Sequence, residues 1–143
     1  MSAHKMIAIL FSLFLIGISG TVCAQTFSSL PESERNAKLI EVAKYVYKNP
    51  QWQNFYREYG TPEIESFVRE GVGRENDPRS KKGPDLGSLI YVVIFRYDKT
   101  KESMEWDYAA KVYISDKGGF AYGIALGNGM ILDTYEMNKN PVR

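Results

Sequence analysis

The chain has 143 residues, 44% of them hydrophobic, and a formal net charge of +1. It is long enough for one packed domain, and it carries no strong field that would draw it to nucleic acid. Its single His and single Cys, His4 and Cys23, lie within the first 24 residues. The rest therefore lacks a thiol nucleophile, a Ser–His pair and an ordinary zinc or copper site. We expect neither a metal nor a cofactor, and any catalysis must use Asp, Glu, Tyr, Lys or Arg.

Residues 1–24 have the pattern of a secretory signal peptide. Lys5 supplies the positive start, and Met6–Ile18 is an uncharged, mostly apolar run that is too short to span a bilayer. Cleavage after Ala24 would leave one exported domain, 25–143, periplasmic or extracellular and without a transmembrane span. A lipoprotein signal through Cys23 is the alternative, which the bulky residue directly before this Cys disfavours.

The predicted helical part of the domain covers residues 29–71. Ser29 begins a capping-box pattern that ends at Glu32, with Pro31 in the first turn, where its missing N–H costs nothing. An apolar stripe with helical spacing follows: Leu39, Val42, Ala43 and Val46. This pattern predicts an amphipathic helix that packs one face on a core.

A second, short helix is expected to begin at Asn49-Pro50, because this pair can end one helix and cap the next. It would carry an aromatic stripe that includes Trp52, Tyr56 and Tyr59. These three side chains are candidates for stacking on a sugar or a peptide. The alternative is that they belong to the core, with their polar ends at the surface.

A third short helix is predicted after Thr61-Pro62, which repeats the combination of a cap residue and Pro. Its apolar residues would be Ile64, Phe67 and Val68, and it would end at Gly71. Residues 72–87 then form a polar loop with little periodicity. Loops of this length are usually functional or disordered, so a mobile linker, a recognition loop and an ion site all stay open. The cations that could contact an anionic ligand there are Arg74, Arg79, Lys81 and Lys82.

The remaining chain, 88–137, has the alternation and Gly-rich turns of a sheet. Four strands are predicted, at 88–98, 105–115, 119–126 and 130–136. Asn128-Gly129 indicates a two-residue type I′ turn, which would place Asp133 opposite Ile124 and Tyr135 opposite Tyr122.

The turn between the second and third of these strands has two interpretations. A three-residue loop with a left-handed Gly118 gathers bulky apolar residues, Tyr122 among them, on one face of the sheet. A two-residue loop would move them to the other face, so we prefer the longer loop.

The predicted fold class is α+β, with N-terminal helices packed on one face of a four-stranded antiparallel meander. In element order over residues 30–136 this layout is similar to the cystatin-like and NTF2-like architectures. The resemblance rests on element order only, and such a likeness carries no function.

Residues Ser88–Asp98 form a run that is apolar on both faces, which is unusual for a strand with one solvated side. In a simple meander this strand would lie at the edge of the sheet, and long apolar edges invite pairing. Two interpretations follow: cover by another part of the chain, or a homodimer through Ser88–Asp98.

Asp133 is the side chain that the register singles out, since it would lie on the bulky face near Tyr122 and Tyr135. A carboxylate there loses solvation and its pKa rises, which suits a general acid or a polar anchor in a ligand pocket. The alternative is an edge strand on which Asp133 reaches water or a Tyr hydroxyl. Glu105 and Asp107 share a strand face but form a weaker pair, because glycosidase carboxylates usually come from different elements across a cleft.

These observations favour a non-catalytic, exported binding module of the cell envelope for an unknown protein or small ligand, with its site between helices and sheet. The candidate ligand-binding residues are Tyr122, Asp133, Tyr135, Trp52, Tyr56 and Tyr59. One alternative is a structural or interaction subunit that pairs through an exposed strand edge. Another is a carboxylate-based hydrolase acting on glycans, with Asp133 as the acid and Glu105, Asp107 or Glu136 as its partner.

Overall fold

The computed structural model describes residues 26–70 and 84–133. One α-helix, α1 (Glu32–Tyr47), precedes five strands: β1 (Tyr59–Val68), β2 (Leu89–Arg96), β3 (Ala110–Ser115), β4 (Ala121–Leu126) and β5 (Ile131–Asp133). Two 3₁₀ turns, Phe27–Ser29 and Gln53–Phe55, flank the helix. The strands form one antiparallel sheet in the order β1-β2-β3-β4-β5. The predicted α+β layout, a helix packed against an antiparallel meander, is therefore confirmed, but the described chain has one α-helix where several were predicted and five strands where four were predicted.

Helix α1 packs the predicted apolar stripe against the sheet. Leu39 and Ala43 are fully buried, and the last turn adds Val46 and Tyr47. Burying a Leu side chain contributes roughly 1.5–3 kcal/mol, so this stripe fixes the helix on β2, β3 and β4. The capping box predicted at Ser29 is wrong. Pro31 takes the N-cap position, because residues 27–29 already form a separate turn in which the Ser29 hydroxyl donates to Thr26 O at 2.6 Å.

The second predicted helix is a single 3₁₀ turn. Asn49 accepts hydrogen bonds from Gln51 N at its side chain, 3.0 Å, and from Trp52 N at its carbonyl, 2.8 Å. The chain thus turns immediately after α1 and buries Trp52, which is 3% exposed. Asn49-Pro50 does mark the end of α1, as predicted, but it opens a turn and no second α-helix.

The third predicted helix is wrong, because residues 59–68 form strand β1. Alternation places Ile64 against the core while its neighbours Glu63 and Glu65 occupy the other face. A helix of two to three turns is marginal on its own, whereas pairing with β2 satisfies the polar backbone of two segments at once. Pro62 fits because the pairing is irregular between Tyr59 and Glu63.

Strand β2 has neighbours on both edges, so the prediction that Ser88–Asp98 lies at the edge of the sheet is wrong. Its Tyr91, Val93 and Phe95 pack in the core beneath α1. On the second face of the sheet, the face opposite α1, Val92 and Ile94 cluster with Tyr108, Ala125 and Tyr113. Side chains of the same chain therefore cover both faces of this strand.

The hairpin between β4 and β5 differs from the prediction by one residue. Its loop contains three residues, 127–129, with Gly129 at φ 81°. Leu126 N donates to Met130 O at 2.8 Å, and Gly129 N donates to Leu126 O at 2.9 Å. Asp133 is consequently paired with Gly123 and not with Ile124. The predicted partnership of Tyr135 with Tyr122 involves residue 135, which lies outside the described residues.

The β3–β4 turn contains four residues, one more than predicted. Gly118 is left-handed, as expected, at φ 81°, but Gly119 follows at φ 61° before Ser115 N donates to Phe120 O. The register then shifts, because Ile114 pairs with Ala121 while Tyr113 pairs with Gly123. This irregularity places Tyr122 beside Tyr113, with ring centroids 6.2 Å apart. The expectation that Tyr122 shares the helix-covered face with Ile124 is therefore wrong.

Candidate functional site

A groove of about 530 Å³ lies between α1 and the β3–β4 turn. Its lining residues are Phe27, Lys38, Glu41, Val42, Tyr45, Val46, Gly119, Phe120 and Ala121. The helical part of the lining is a single stripe at spacings of three and four, which is why one helix can supply five of these residues. We call this feature the helix–turn groove.

The floor of the helix–turn groove is apolar and its rim is charged. Phe27 and Val46 are buried, and Phe27 meets the ring of Tyr91 edge-on at 6.3 Å. Tyr45 stands on the rim with 70% of its surface exposed. Lys38 lies on the same rim and is paired with Glu34 at 2.9 Å. An apolar floor with a few polar groups at its edge is the usual make-up of a ligand pocket.

A buried carboxylate fixes the shape of this groove. Asp116, 8% exposed, accepts hydrogen bonds from Ser28 N at 2.7 Å and from Ser28 Oγ at 2.8 Å. Its own amide donates to Leu89 O at 3.0 Å, so the β3–β4 turn is tied to β2 as well. The 3₁₀ turn that carries Phe27 is thereby held against the turn that carries Gly119.

Gly119 is required at the point where these two turns meet. Its φ of 61° is one that side-chain-bearing residues rarely adopt, and a Cβ there would lie 3.2 Å from Phe27 Cε2. The glycine therefore lets the β3–β4 turn approach Phe27 closely enough to close one end of the groove.

A second cavity, of about 230 Å³, lies on the other flank of α1. It is lined by Lys44, Arg57, Glu58, Tyr59, Gly60, Pro62, Phe95 and Arg96. Part of its lining comes from the stretch of β1 between Tyr59 and Glu63, where the pairing with β2 is irregular. We call it the strand-end cavity.

The cations of the strand-end cavity are already matched by acids. Arg57 forms a bidentate pair with Glu102 at 2.5 and 2.8 Å. Arg96 bonds both carboxylate oxygens of Glu63, at 3.0 and 2.8 Å, and Asp107 Oδ2 at 2.9 Å. The guanidinium groups hold the pKa values of Glu102 and Glu63 below their usual range by hydrogen bonding. Since every cation has a nearby carboxylate, this cavity offers little net attraction for an anion.

The predicted aromatic stripe does not form one surface. Trp52 belongs to the core, and Tyr59, 53% exposed, begins β1. Tyr56 packs on Tyr47 at 5.1 Å and donates its hydroxyl hydrogen bond to Glu58. Burial, together with that bond, raises the pKa of Tyr56 to about 12. The core alternative therefore describes Trp52 and also Tyr56, whose ring packs against the core while its hydroxyl reaches Glu58. Tyr59 instead lines the strand-end cavity.

None of the other predicted site residues that the structure describes lines the helix–turn groove or the strand-end cavity. Burial raises the pKa of Tyr122 to about 12, and this residue lies on the second face with Tyr113. Asp133 lies at the register position opposite Gly123, away from the core row of Ile124 on which its assignment depended. Tyr135, Glu136 and the loop cations Arg74, Arg79, Lys81 and Lys82 lie outside the described residues.

Glu105 and Asp107 precede β3, which begins only at Ala110, so they do not share a strand face as predicted. Asp107 is bound to Arg96. Within residues 26–70 and 84–133, no three His, Cys, Asp or Glu side chains are grouped so that they could hold a metal ion. No helix in the same ranges is long and apolar enough to cross a bilayer.

Fold and groove together define an α+β domain with a surface groove between its helix and a sheet turn. No protein-family model matches the chain, and neither the curated proteins nor the solved structures give a significant match. The likeness to cystatin-like and NTF2-like architectures accordingly rests on element order only, and it carries no function.

The groove's anchors were not found from the sequence. Phe27 and Ser28 lie before the first predicted helix, and Asp116 looks like an ordinary turn residue. A hydrogen bond between positions 88 residues apart leaves no local pattern. The one signal available was the pair Gly118-Gly119 after Asp116, which indicates a tight turn but not what it packs against.

Proposed function

We propose that this protein is an exported, non-catalytic binding module whose site is the helix–turn groove. The ligand is a protein segment or a small molecule that inserts an apolar or aromatic group between α1 and the β3–β4 turn. The leader-like residues 1–24 support export, with cleavage after Ala24.

The observation that carries this proposal is the groove itself. Its volume of about 530 Å³ falls within the range of roughly 300–1,000 Å³ in which small-ligand sites are found. Its floor is apolar, and Tyr45 on its rim combines a large contact area with a polar hydroxyl, a combination enriched at binding surfaces.

The residue types that remain after the leader support binding over catalysis. The chain beyond residue 24 has no Cys and no His. The helix–turn groove has one carboxylate in its lining, Glu41, and no second one to act as its partner. Chemistry that needs an acid and a base would lack one of them there.

The proposal is tested by a thermal-shift screen of the mature chain against cell-envelope peptides, lipids and glycans. A ligand present at a hundred times its Kd stabilises the fold by about 2.7 kcal/mol, which is readily detected. Val42→Lys should abolish the stabilisation, because it places a charged side chain in the groove. The long Lys side chain can still bring its ammonium group to water, so the fold itself should tolerate the change. Tyr45→Ala should weaken it.

Tyr59→Ala is the matched control, because Tyr59 is also an exposed tyrosine but lies outside the groove. It should leave the ligand's effect unchanged. If no compound stabilises the fold, or if Val42→Lys responds as the unsubstituted chain does, the groove is not the site.

A second candidate function is an interaction subunit that pairs through a strand edge, and it is favoured by the position of β1. Among the described residues this strand pairs only with β2, and most of its residues are exposed, including Phe67 and Val68. Long exposed edges can template pairing. Sedimentation of the chain and of Val68→Lys tests it: a dimer that the substitution dissociates supports this function, and a monomer at high concentration rejects it.

A further inference from the structure

Trp106 is an exposed tryptophan on a rigidly held loop. Half of its surface, 51%, is exposed. Its amide donates to Gly127 O at 3.0 Å, and its carbonyl accepts from the Tyr97 hydroxyl at 3.0 Å. The same hydroxyl accepts from Met104 N at 3.1 Å. Both backbone groups of Trp106 are therefore hydrogen-bonded, which holds the loop segment from which the indole projects.

The indole of Trp106 is backed by a second aromatic ring. Tyr108 lies 6.3 Å away, with an angle of 21° between the ring planes. Tyr108 is itself buried against Val92, Ile94 and Ala125 on the second face of the sheet. Lys111 Nζ lies 4.8 Å from the centre of the Tyr108 ring. The arrangement is a flat aromatic platform supported from below by the core of that face.

Polar groups surround this platform. An ideal Cβ on Gly129 would lie 3.1 Å from Trp106 Nε1 and 3.3 Å from Glu105 Oε2, so the indole N–H and the carboxylate converge on the β4–β5 turn. Asp107, the residue after Trp106, accepts a hydrogen bond from Arg96. The charged groups around the platform are three acids and two cations, so they carry no net positive charge: Glu63, Glu105, Asp107, Arg96 and Lys111.

We propose that Trp106 is the stacking platform of a carbohydrate-binding site, separate from the helix–turn groove, that takes a neutral pyranose ring. The apolar face of the sugar would lie on the indole, and Glu105 and the indole N–H would hydrogen-bond its hydroxyl groups. A flat ring held in place costs little conformational entropy on binding, which suits a ligand with one apolar face.

The charge pattern favours a sugar over other occupants. Lys, Glu and Asp are depleted in the cores of protein–protein interfaces, yet they flank Trp106 closely. A nucleic acid would require net positive charge, which this platform lacks. A neutral polyhydroxyl ligand uses both acids and cations as hydrogen-bond partners without a net electrostatic cost.

The two Trp residues of the chain provide the test. Indole N–H signals in nitrogen-15 NMR spectra are followed while neutral trisaccharides of glucose, N-acetylglucosamine, mannose and galactose are added at millimolar concentration. At least one trisaccharide should shift the Trp106 signal and leave that of Trp52, which is buried in the core, unchanged. Trp106→Ala should weaken binding by roughly tenfold or more, because it removes the aromatic surface on which the sugar would stack.

Trp106→Tyr should retain part of the affinity, and Glu105→Gln should lower it. Tyr59→Ala should leave it unchanged. The proposal is overturned if no neutral trisaccharide moves the Trp106 signal, if Trp106→Ala binds the sugar equally well, or if only an apolar tripeptide used in parallel moves that signal. Val42→Lys blocks the helix–turn groove and should not affect sugar binding at Trp106. The groove proposal and the Trp106 proposal can therefore fail independently of each other.

Discussion

The carboxylate of Asp116 bonds both the amide and the hydroxyl of Ser28, at 2.7 and 2.8 Å, across 88 residues of sequence. This contact joins the first turn of the described chain to the β3–β4 turn, and it closes the helix–turn groove at one end. A buried carboxylate that accepts two hydrogen bonds is costly to disturb, because hydrogen bonds to a charged acceptor are among the stronger ones in a protein.

Asp116→Asn should therefore destabilise the fold. The amide can accept from Ser28 N, but its N–H₂ group cannot accept from the Ser28 hydroxyl, so one hydrogen bond to a charged acceptor is lost, which should cost about 1–3 kcal/mol. Urea denaturation followed by circular dichroism measures it. Asp85→Asn, which changes an exposed carboxylate, is the control and should be close to neutral. Equal midpoints for the two variants would mean that the contact with Ser28 does not stabilise the fold.

The paired glutamates should make stability fall in acid. Arg57 lowers the pKa of Glu102 through its hydrogen bonds, and Arg96 does the same for Glu63. The unfolded chain then binds protons at a higher pH than the folded chain, so this stabilisation is present above the ordinary glutamate pKa near 4.5 and is lost as pH falls through the lowered values.

Glu102→Gln removes one of these pairs without removing the side chain's bulk. It should lower the urea midpoint at neutral pH, and the difference from the unsubstituted chain should shrink as the pH falls, because a protonated Glu102 resembles Gln. Glu41→Gln, an exposed side chain on α1, should show no such convergence. A constant difference at every pH would contradict the account of this ion pair.

At alkaline pH, Tyr122 should make the stability of the fold fall as the pH rises, which is the opposite of the effect in acid. Burial raises the folded-state pKa of Tyr122 to about 12, above the ordinary value of 10.0. The unfolded chain loses this proton first, so the contribution to stability is complete below pH 10 and disappears as pH rises through 12. Tyr122→Phe should remove this part of the alkaline loss. NMR titration of the tyrosine ring signals checks it, and a Tyr122 midpoint near 10 would contradict it.

Two glycines with nearly the same φ allow backbone strain to be measured apart from steric crowding. Gly129 has φ 81° and an ideal Cβ there would lie 3.1 Å from Trp106 Nε1, whereas Gly87 has φ 80° with open space around its Cβ. Gly87→Ala should cost about 1 kcal/mol, the left-handed penalty alone. Gly129→Ala should cost more and should shift the Trp106 indole signal. Equal losses would show that Trp106 does not lie against this turn.

Parts of the fold that depend on neighbouring residues were predictable. The stripe from Leu39 to Val46 predicted α1, and the apolar run after Ser88 predicted β2. Pro50 correctly placed the end of the first helix. Each of these patterns lies within a single helix or strand, so the local sequence is enough to predict that element.

What the sequence did not predict depends on contacts between distant segments. Ile64, Phe67 and Val68 fit a helical turn as well as a strand, and β1 forms because β2 has an edge to pair with. The loop before β5 takes in Gly127, so Asp133 pairs with Gly123 and not with Ile124. The helix–turn groove requires Ser28 and Asp116 to meet, and nothing near either residue indicates this.

The central claim is that the helix–turn groove is a binding site, and a comparison of the unsubstituted chain with Val42→Lys tests it most directly. Both proteins are screened by thermal shift against the same cell-envelope peptides, lipids and glycans. We expect at least one compound to raise the melting temperature of the unsubstituted chain and to leave that of Val42→Lys unchanged. Equal stabilisation of both proteins, or of neither, would contradict the claim.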